Sequence, residues 1–178
     1  MGKIVVSMYV TLDGIMEMPS WTAPYWNDEI AKFELDLLSA SDALLLGRIT
    51  YEEFSARWPE RDNEEGFADR INSMPKYVTT TTLTKAEWNA TFIKENAGKE
   101  IAELKKANQK LLVYGSGTLV EKLLEHDLVD ELHLLTFPLV LGEGKCLFQQ
   151  GMDSKKFMLT NNWVTETGVV ISSYAPET

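Results

Sequence analysis

Twice in this chain an apolar run passes through glycine straight into a helical pattern. Ala43-Leu44-Leu45-Leu46 ends at Gly47, and Lys110-Leu111-Leu112-Val113-Tyr114 ends at Gly115-Ser116-Gly117. A strand with no polar side must be covered on both faces. Parallel strands covered in this way need helical crossovers between them. The rest of the chain obeys the same rhythm. Residues 3–10 read as a buried first strand followed by the turn Thr11-Leu12-Asp13-Gly14. A helix starts near Asp28, with Ile30, Phe33, Leu37 and Leu38 on one face. Further helices are predicted over 50–58, 97–107 and 118–125, and further strands over 76–82 and 131–137. Residues 17–26 read as an irregular aromatic and proline-rich loop, and 60–73 carry no clear period. At the end, 157–163 and 168–174 alternate apolar and polar residues around Thr165-Glu166-Thr167, as an antiparallel hairpin does. The expectation is a three-layer α/β/α fold with a central mixed, mostly parallel sheet and a C-terminal antiparallel hairpin. No repeat or linker interrupts it, so residues 1–178 are read as one domain.

Composition narrows the function. The chain carries 17 Lys+Arg against 27 Asp+Glu, a net charge of −10. Such a surface repels phosphate backbones and anionic lipid, which argues against nucleic-acid and membrane partners. One cysteine, Cys146, and two histidines seven residues apart, His126 and His133, match no metal-site spacing. No metal is expected. The start of the chain lacks the apolar core of a signal peptide, so a cytoplasmic location is expected.

The two strand-to-helix turns are the first places to look for chemistry. After Gly47 come Arg48 and Thr50, the latter forming a T-x-x-E capping pattern with Glu53. Helix amides beside a guanidinium make an anion site, although a cap and a surface ion pair account for the same residues. The second turn, with Thr118 and Glu121 in the same capping spacing, gives G-x-G-x-x-V, short of the full dinucleotide fingerprint. Both turns would open at the carboxyl ends of strands, where ligands bind in this architecture. The threonines at 79–82 end a third strand, either as phosphate-facing hydroxyls or as ordinary strand formers. For acid–base work the candidates are Asp13, at a turn, and Asp28, Glu29 and Glu34 around the first helix. Glu34, beside Phe33, is the helix carboxylate closest to the apolar face. No Ser-His-Asp set is legible.

Five segments occur in order: Ser7 to Gly14, Gly47-Arg48-Ile49-Thr50-Tyr51, Gly115-Ser116-Gly117-Thr118-Leu119, Leu128-Val129-Asp130-Glu131-Leu132, and Phe137 to Lys145. Together they resemble the dihydrofolate reductase superfamily. The closer likeness is to stand-alone bacterial proteins similar to the C-terminal reductase domain of the bifunctional riboflavin-biosynthesis deaminase/reductase. The resemblance implies an NADPH-dependent oxidoreductase. By it, Gly47, Arg48 and Thr50 hold the cofactor's phosphates, with Arg48 favouring the 2′-phosphate of NADPH. Thr80 and Thr81 lie near that phosphate, and Gly115, Ser116, Gly117, Thr118 and Leu119 cradle the pyrophosphate. Val10, Gly14 and Met16 lie against the nicotinamide, and Asp13 faces the substrate. Serine stands at 116 where dihydrofolate reductases pair two glycines. Their helix carboxylate falls 16 residues before the Gly-Arg turn, which is Ala31 here.

The resulting expectation is hydride transfer from NADPH to a small polar ring or imine. The substrate implied is an aminouracil ribosyl phosphate, 5-amino-6-(5-phosphoribosylamino)uracil, as in riboflavin synthesis. Asp13 is the first candidate for polar contact or proton relay and Glu34 the second. Trp21, Trp26 and Phe33 are candidate ring-stacking walls, with core packing the alternative for Phe33. A dihydrofolate or pterin reductase and a non-catalytic NADP(H)-binding sensor or partner protein are the rival readings. A homodimer is expected from the resemblance.

Overall fold

The computed structural model describes residues 2–63, 66–107 and 109–177. Eight strands form one sheet: β1 (Lys3–Thr11), β2 (Ala43–Gly47), β3 (Lys76–Thr79), β4 (Ala90–Ile93), β5 (Lys110–Val113), β6 (Glu131–Phe137), β7 (Phe157–Val164) and β8 (Val170–Pro176). Their order across the sheet is β4-β3-β2-β5-β1-β6-β8-β7. The six strands from β4 to β6 run parallel, and β8 and β7 close the sheet antiparallel. This is the mixed α/β sheet with a terminal hairpin that the sequence pattern predicts.

Helices α1 (Asp28–Ser39), α2 (Arg48–Arg57), α3 (Phe67–Ser73), α4 (Ala97–Lys106) and α5 (Gly117–Glu125) cover the two faces. Side chains alternate across the strands, so each central strand feeds both layers. Ile4, Val6, Leu45 and Val113 meet Ile101 of α4 and Leu119 and Leu123 of α5. Val5, Leu44, Leu46 and Leu112 meet Leu38, Tyr51 and Ile71 on the other side. Burying each such aliphatic side chain contributes about 1.5–3 kcal/mol, which is why the central strands carry almost no polar residue. Ser7 is an exception on β1, buried at 2% exposure.

The structure corrects several local expectations. Helix α2 begins at Arg48 with Gly47 as its N-cap, so Thr50 lies inside the first turn and its capping pattern does not form. At α5 the cap is Ser116, whose Oγ accepts from Leu119 N at 3.3 Å, so Thr118 is not the cap. The patternless stretch contains α3, which is only 7 residues long. Edge strand β4 is not foreseen either, since only Ile93 of its four residues is buried and no run of apolar alternation marks it. Residues 19–25 of the irregular loop wind into a 3-10 helix.

Candidate functional site

The parallel strands β1, β2 and β5 end side by side, and their exit turns pack into one another. Gly47 N donates to Gly115 O at 2.9 Å. A Cβ on Gly47 would overlap the Ser116 side chain. One on Gly115, where φ is +142°, would stand 2.7 Å from Thr50 Oγ1, and one on Gly117 would stand 2.6 Å from Met16 Cε. The three segments singled out as cofactor-binding are therefore brought into direct contact, which needs glycine at 47 and 115, whereas at 117 the end of the Met16 side chain would have to shift. The Gly115-Ser116 peptide bond is cis, although serine replaces the second glycine of the dihydrofolate reductases.

Around this cradle the donors are arranged for an anion. The first turn of α2 has no side-chain cap, so no side chain satisfies its leading amides. Arg48 is exposed and pairs with Glu52 of the next turn at 3.2 Å. Lys145, which the sequence reading passed over, donates from Nζ to Thr118 Oγ1 at 3.0 Å beside the start of α5. Thr81 is exposed, whereas Thr80 is buried and its Oγ1 accepts from Thr82 N and Leu83 N. The Thr80 hydroxyl thus holds its own turn. Backbone amides and cations on a glycine-lined floor fit the phosphates of a nicotinamide dinucleotide.

Asp13 faces a loop of its own chain. Its carboxylate accepts from Thr11 Oγ1, from Leu141 N at 3.3 Å and from Gly142 N at 2.9 Å. The Thr11 hydroxyl and the Gly142 amide, in that order, hold its carboxyl below the usual aspartate range. Glu17 accepts from Lys145 N at 2.9 Å, and Met16 N donates to Lys145 O at 2.9 Å. These bonds tie residues 139–145 to the tip of β1 and carry Lys145 to the cradle.

Glu34 has a different setting. Helix α1 turns it inward onto β1, where Ser7 Oγ donates to Oε1 at 2.7 Å. It is 2% exposed. Burial pushes its carboxyl up to about 7, against the opposing pull of the Ser7, Tyr114 and Tyr9 hydroxyls. Oε2 and the Tyr114 hydroxyl are sealed from solvent, and neither completes a hydrogen bond. The Tyr114 hydroxyl faces the carboxyl without bonding geometry. Ala31 leaves the superfamily's carboxylate position bare, and Glu34, three residues on and on the same helix face, supplies a buried carboxyl.

The aromatic candidates divide. Trp26, 42% exposed, stands edge-on to Tyr9 at 5.9 Å. Trp21 packs on Phe137 at 5.4 Å. Phe33 lies against His133 at 5.4 Å and Trp163 at 6.5 Å, a packing position that removes it from the candidate walls. Ser7, Tyr9, Tyr114 and Lys145 are the residues that sequence reasoning missed. The available signal was Ser7 and Tyr9 alternating with Val6, Met8 and Val10 on one strand. Among the described residues no cluster of His, Cys, Asp and Glu is arranged for a metal, and no helix is long and apolar enough to cross a membrane.

Comparison with known proteins places this geometry. The model of the RibD C-terminal domain matches residues 2–171. The chain belongs to that family. The chain is similar to YyaP of Bacillus subtilis (strain 168), an uncharacterized protein 30% identical over 172 residues, covering 94% of this chain and 92% of YyaP. Among solved structures, a protein assigned to riboflavin biosynthesis from Shewanella sp. PV-4 superposes with a TM-score of 0.81. It is 23% identical, with all of both chains covered. Dihydrofolate reductase from Enterococcus faecalis, complexed with NADP(H), superposes with a TM-score of 0.64. There the identity is 15%, over 99% of this chain and 98% of that one. The chain thus shares its fold with solved proteins of riboflavin biosynthesis and with dihydrofolate reductase.

Proposed function

We propose that the protein is an NADPH-dependent reductase with Glu34 as the source of the proton that accompanies hydride transfer. The observation that carries this reading is the buried Glu34 carboxyl beside Tyr114, the residue that leads into the Gly115–Gly117 floor. When bound, the cofactor supplies the hydride. The chain supplies the rest. Gly47, Arg48 and Thr50 with Gly115, Ser116, Gly117, Thr118 and Leu119 bind the phosphates, and Lys145 joins them. Val10, Gly14 and Met16 hold the nicotinamide end, and Thr81 lies at the 2′-phosphate end. Asp13, kept ionised by its bonds, fixes the 139–145 loop. Glu34, its carboxyl pushed up to about 7 by burial, is shared between its protonated and ionised forms at neutral pH, as a group that gives up and regains a proton must be.

The substrate we favour is 5-amino-6-(5-phosphoribosylamino)uracil, from the family. A pterin or dihydrofolate is the second reading, favoured by the buried helix carboxyl. Glu34 also supplies a buried carboxyl on the helix that lacks one at Ala31, which weighs against a non-catalytic sensor. The proposal carries with it a cytoplasmic homodimer, with the edge strand β7 as the contact because Met158, Leu159 and Val164 lie more than half exposed on it. NADPH oxidation should follow addition of the aminouracil ribosyl phosphate, and dihydrofolate run separately decides between the two substrates. Calorimetry that finds no NADPH binding sinks both reductase readings.

A further inference from the structure

Lys145 has its backbone tied on both sides by the same two neighbours. Its N–H donates to Glu17 Oε2 at 2.9 Å, and its carbonyl accepts from Met16 N at 2.9 Å. Leu147 N donates to Gly14 O at 3.0 Å and Ile15 bridges Cys146, so 145–147 lie antiparallel on 14–17. Gly144, at φ +127°, permits that approach, because a Cβ there would stand 2.9 Å from Ile15 Cγ2. With both backbone groups held, the Lys145 side chain starts from a fixed point. Its Nζ reaches Thr118 Oγ1 at 3.0 Å, in the first turn of α5.

That is the wrong end of a helix for a cation, since the macrodipole makes an N-terminus positive. The partner Lys145 finds there is a neutral hydroxyl. Among the described residues it joins no ion pair, in a chain with a net charge of −10. An ammonium and a helix N-terminus set side by side repel until an anion lies against both.

We propose that Glu17 is a positioning residue for the cofactor: by holding the Lys145 amide it keeps the ammonium beside α5, where the pyrophosphate of NADPH binds. This inference rests on the cofactor site of the reductase reading. Glu17 acts through Lys145 and does not itself meet the phosphates. Its effect therefore has the opposite sign to that of its charge. Removing an anion from beside an anionic ligand should tighten binding by Coulomb's law. Removing a positioning residue weakens it.

Calorimetry of NADPH binding to the full chain tests that sign. Lys145→Met should weaken binding about 10–100-fold, as loss of a hydrogen bond from a charged group does. Glu17→Ala should weaken it about 3–10-fold. Glu17→Gln keeps an oxygen that can accept from Lys145 N, and should stay within about 2-fold of the wild type. Glu17→Ala combined with Lys145→Met should lose no more than Lys145→Met alone, whereas a loop merely loosened would add its own loss. In the free protein, amide exchange at Lys145 should quicken in Glu17→Ala and not in Glu17→Gln. Tighter or unchanged NADPH binding in Glu17→Ala, additive losses or unmoved exchange overturns the proposal and leaves the reductase reading standing. A wild type that binds no NADPH overturns both.

Discussion

Glu34 and Lys76 are both ionisable side chains shut inside the same molecule, and they meet burial in opposite ways. Lys76, fully buried at the start of β3, donates from Nζ to Asn72 O at 3.0 Å and stands 3.9 Å from the centre of the Trp88 ring. Trp88 in turn donates to Asn72 Oδ1 at 2.7 Å. That knot closes on itself, at the opposite strand end from Gly47 and Gly115. Glu34 has one oxygen held and the other left over. Burial costs both groups, but only Glu34 keeps an unmatched polar atom among hydroxyls that lead toward the cradle. The leftover oxygen, more than the burial, sets Glu34 apart from Lys76.

The sharpest way to break this contrast is Glu34→Gln. A steady-state assay should show kcat lower by about 10²–10⁴-fold, while the protein stays folded by circular dichroism. Lys76→Ala should do the reverse. Urea denaturation should show a loss of about 2–4 kcal/mol, from the cavity and the lost ring contact, with NADPH binding intact by calorimetry. Weakened NADPH binding in that variant would undo the comparison.

The two groups should also pull stability in opposite directions with pH. Glu34 holds its proton to about 7 when folded and to about 4.5 when unfolded. Between those values the unfolded chain binds fewer protons, so stability falls as pH rises, by at most about 3 kcal/mol. Lys76 is pushed down by burial to about 8 from 10.5. Between those values the unfolded chain binds more protons, so stability rises with pH, by less because the Trp88 ring favours the charged form. Thermal melts across pH should therefore show a minimum between about 7 and 8. Glu34→Gln should remove its acid limb and Lys76→Met its alkaline limb. The smallest effect belongs to Asp13→Asn, where hydrogen exchange should quicken at Leu141 and Gly142 with the core unchanged.

The sheet was legible because its strands are uniformly apolar, and the glycine turns were legible because glycine announces close approach. The wrong capping assignments share one cause: Thr50 and Thr118 have the right spacing to Glu53 and Glu121, but each helix starts earlier. Strand β4 escaped because an edge strand such as Ala90–Ile93 need not alternate. The close approach of the glycine turns could be anticipated segment by segment, since each segment carries its own glycines. The Glu34 cluster could not, because Ser7, Glu34 and Tyr114 are separated by 27 residues in one step and 80 in the next, and only the packing of α1 over β1 and β5 unites them.

Strand β1 occupies the middle of the sheet, between β5 and β6, with Val5 opposite both Leu112 and Glu131. It is made first and finds its neighbours only after more than 100 further residues have left the ribosome. At roughly 5–20 residues per second, Ile4, Val5 and Val6 wait unpaired for roughly 5–20 s. During translation the central strand of the finished sheet is thus the one that waits longest for its partners, and long-range pairing of this kind sets the pace of folding.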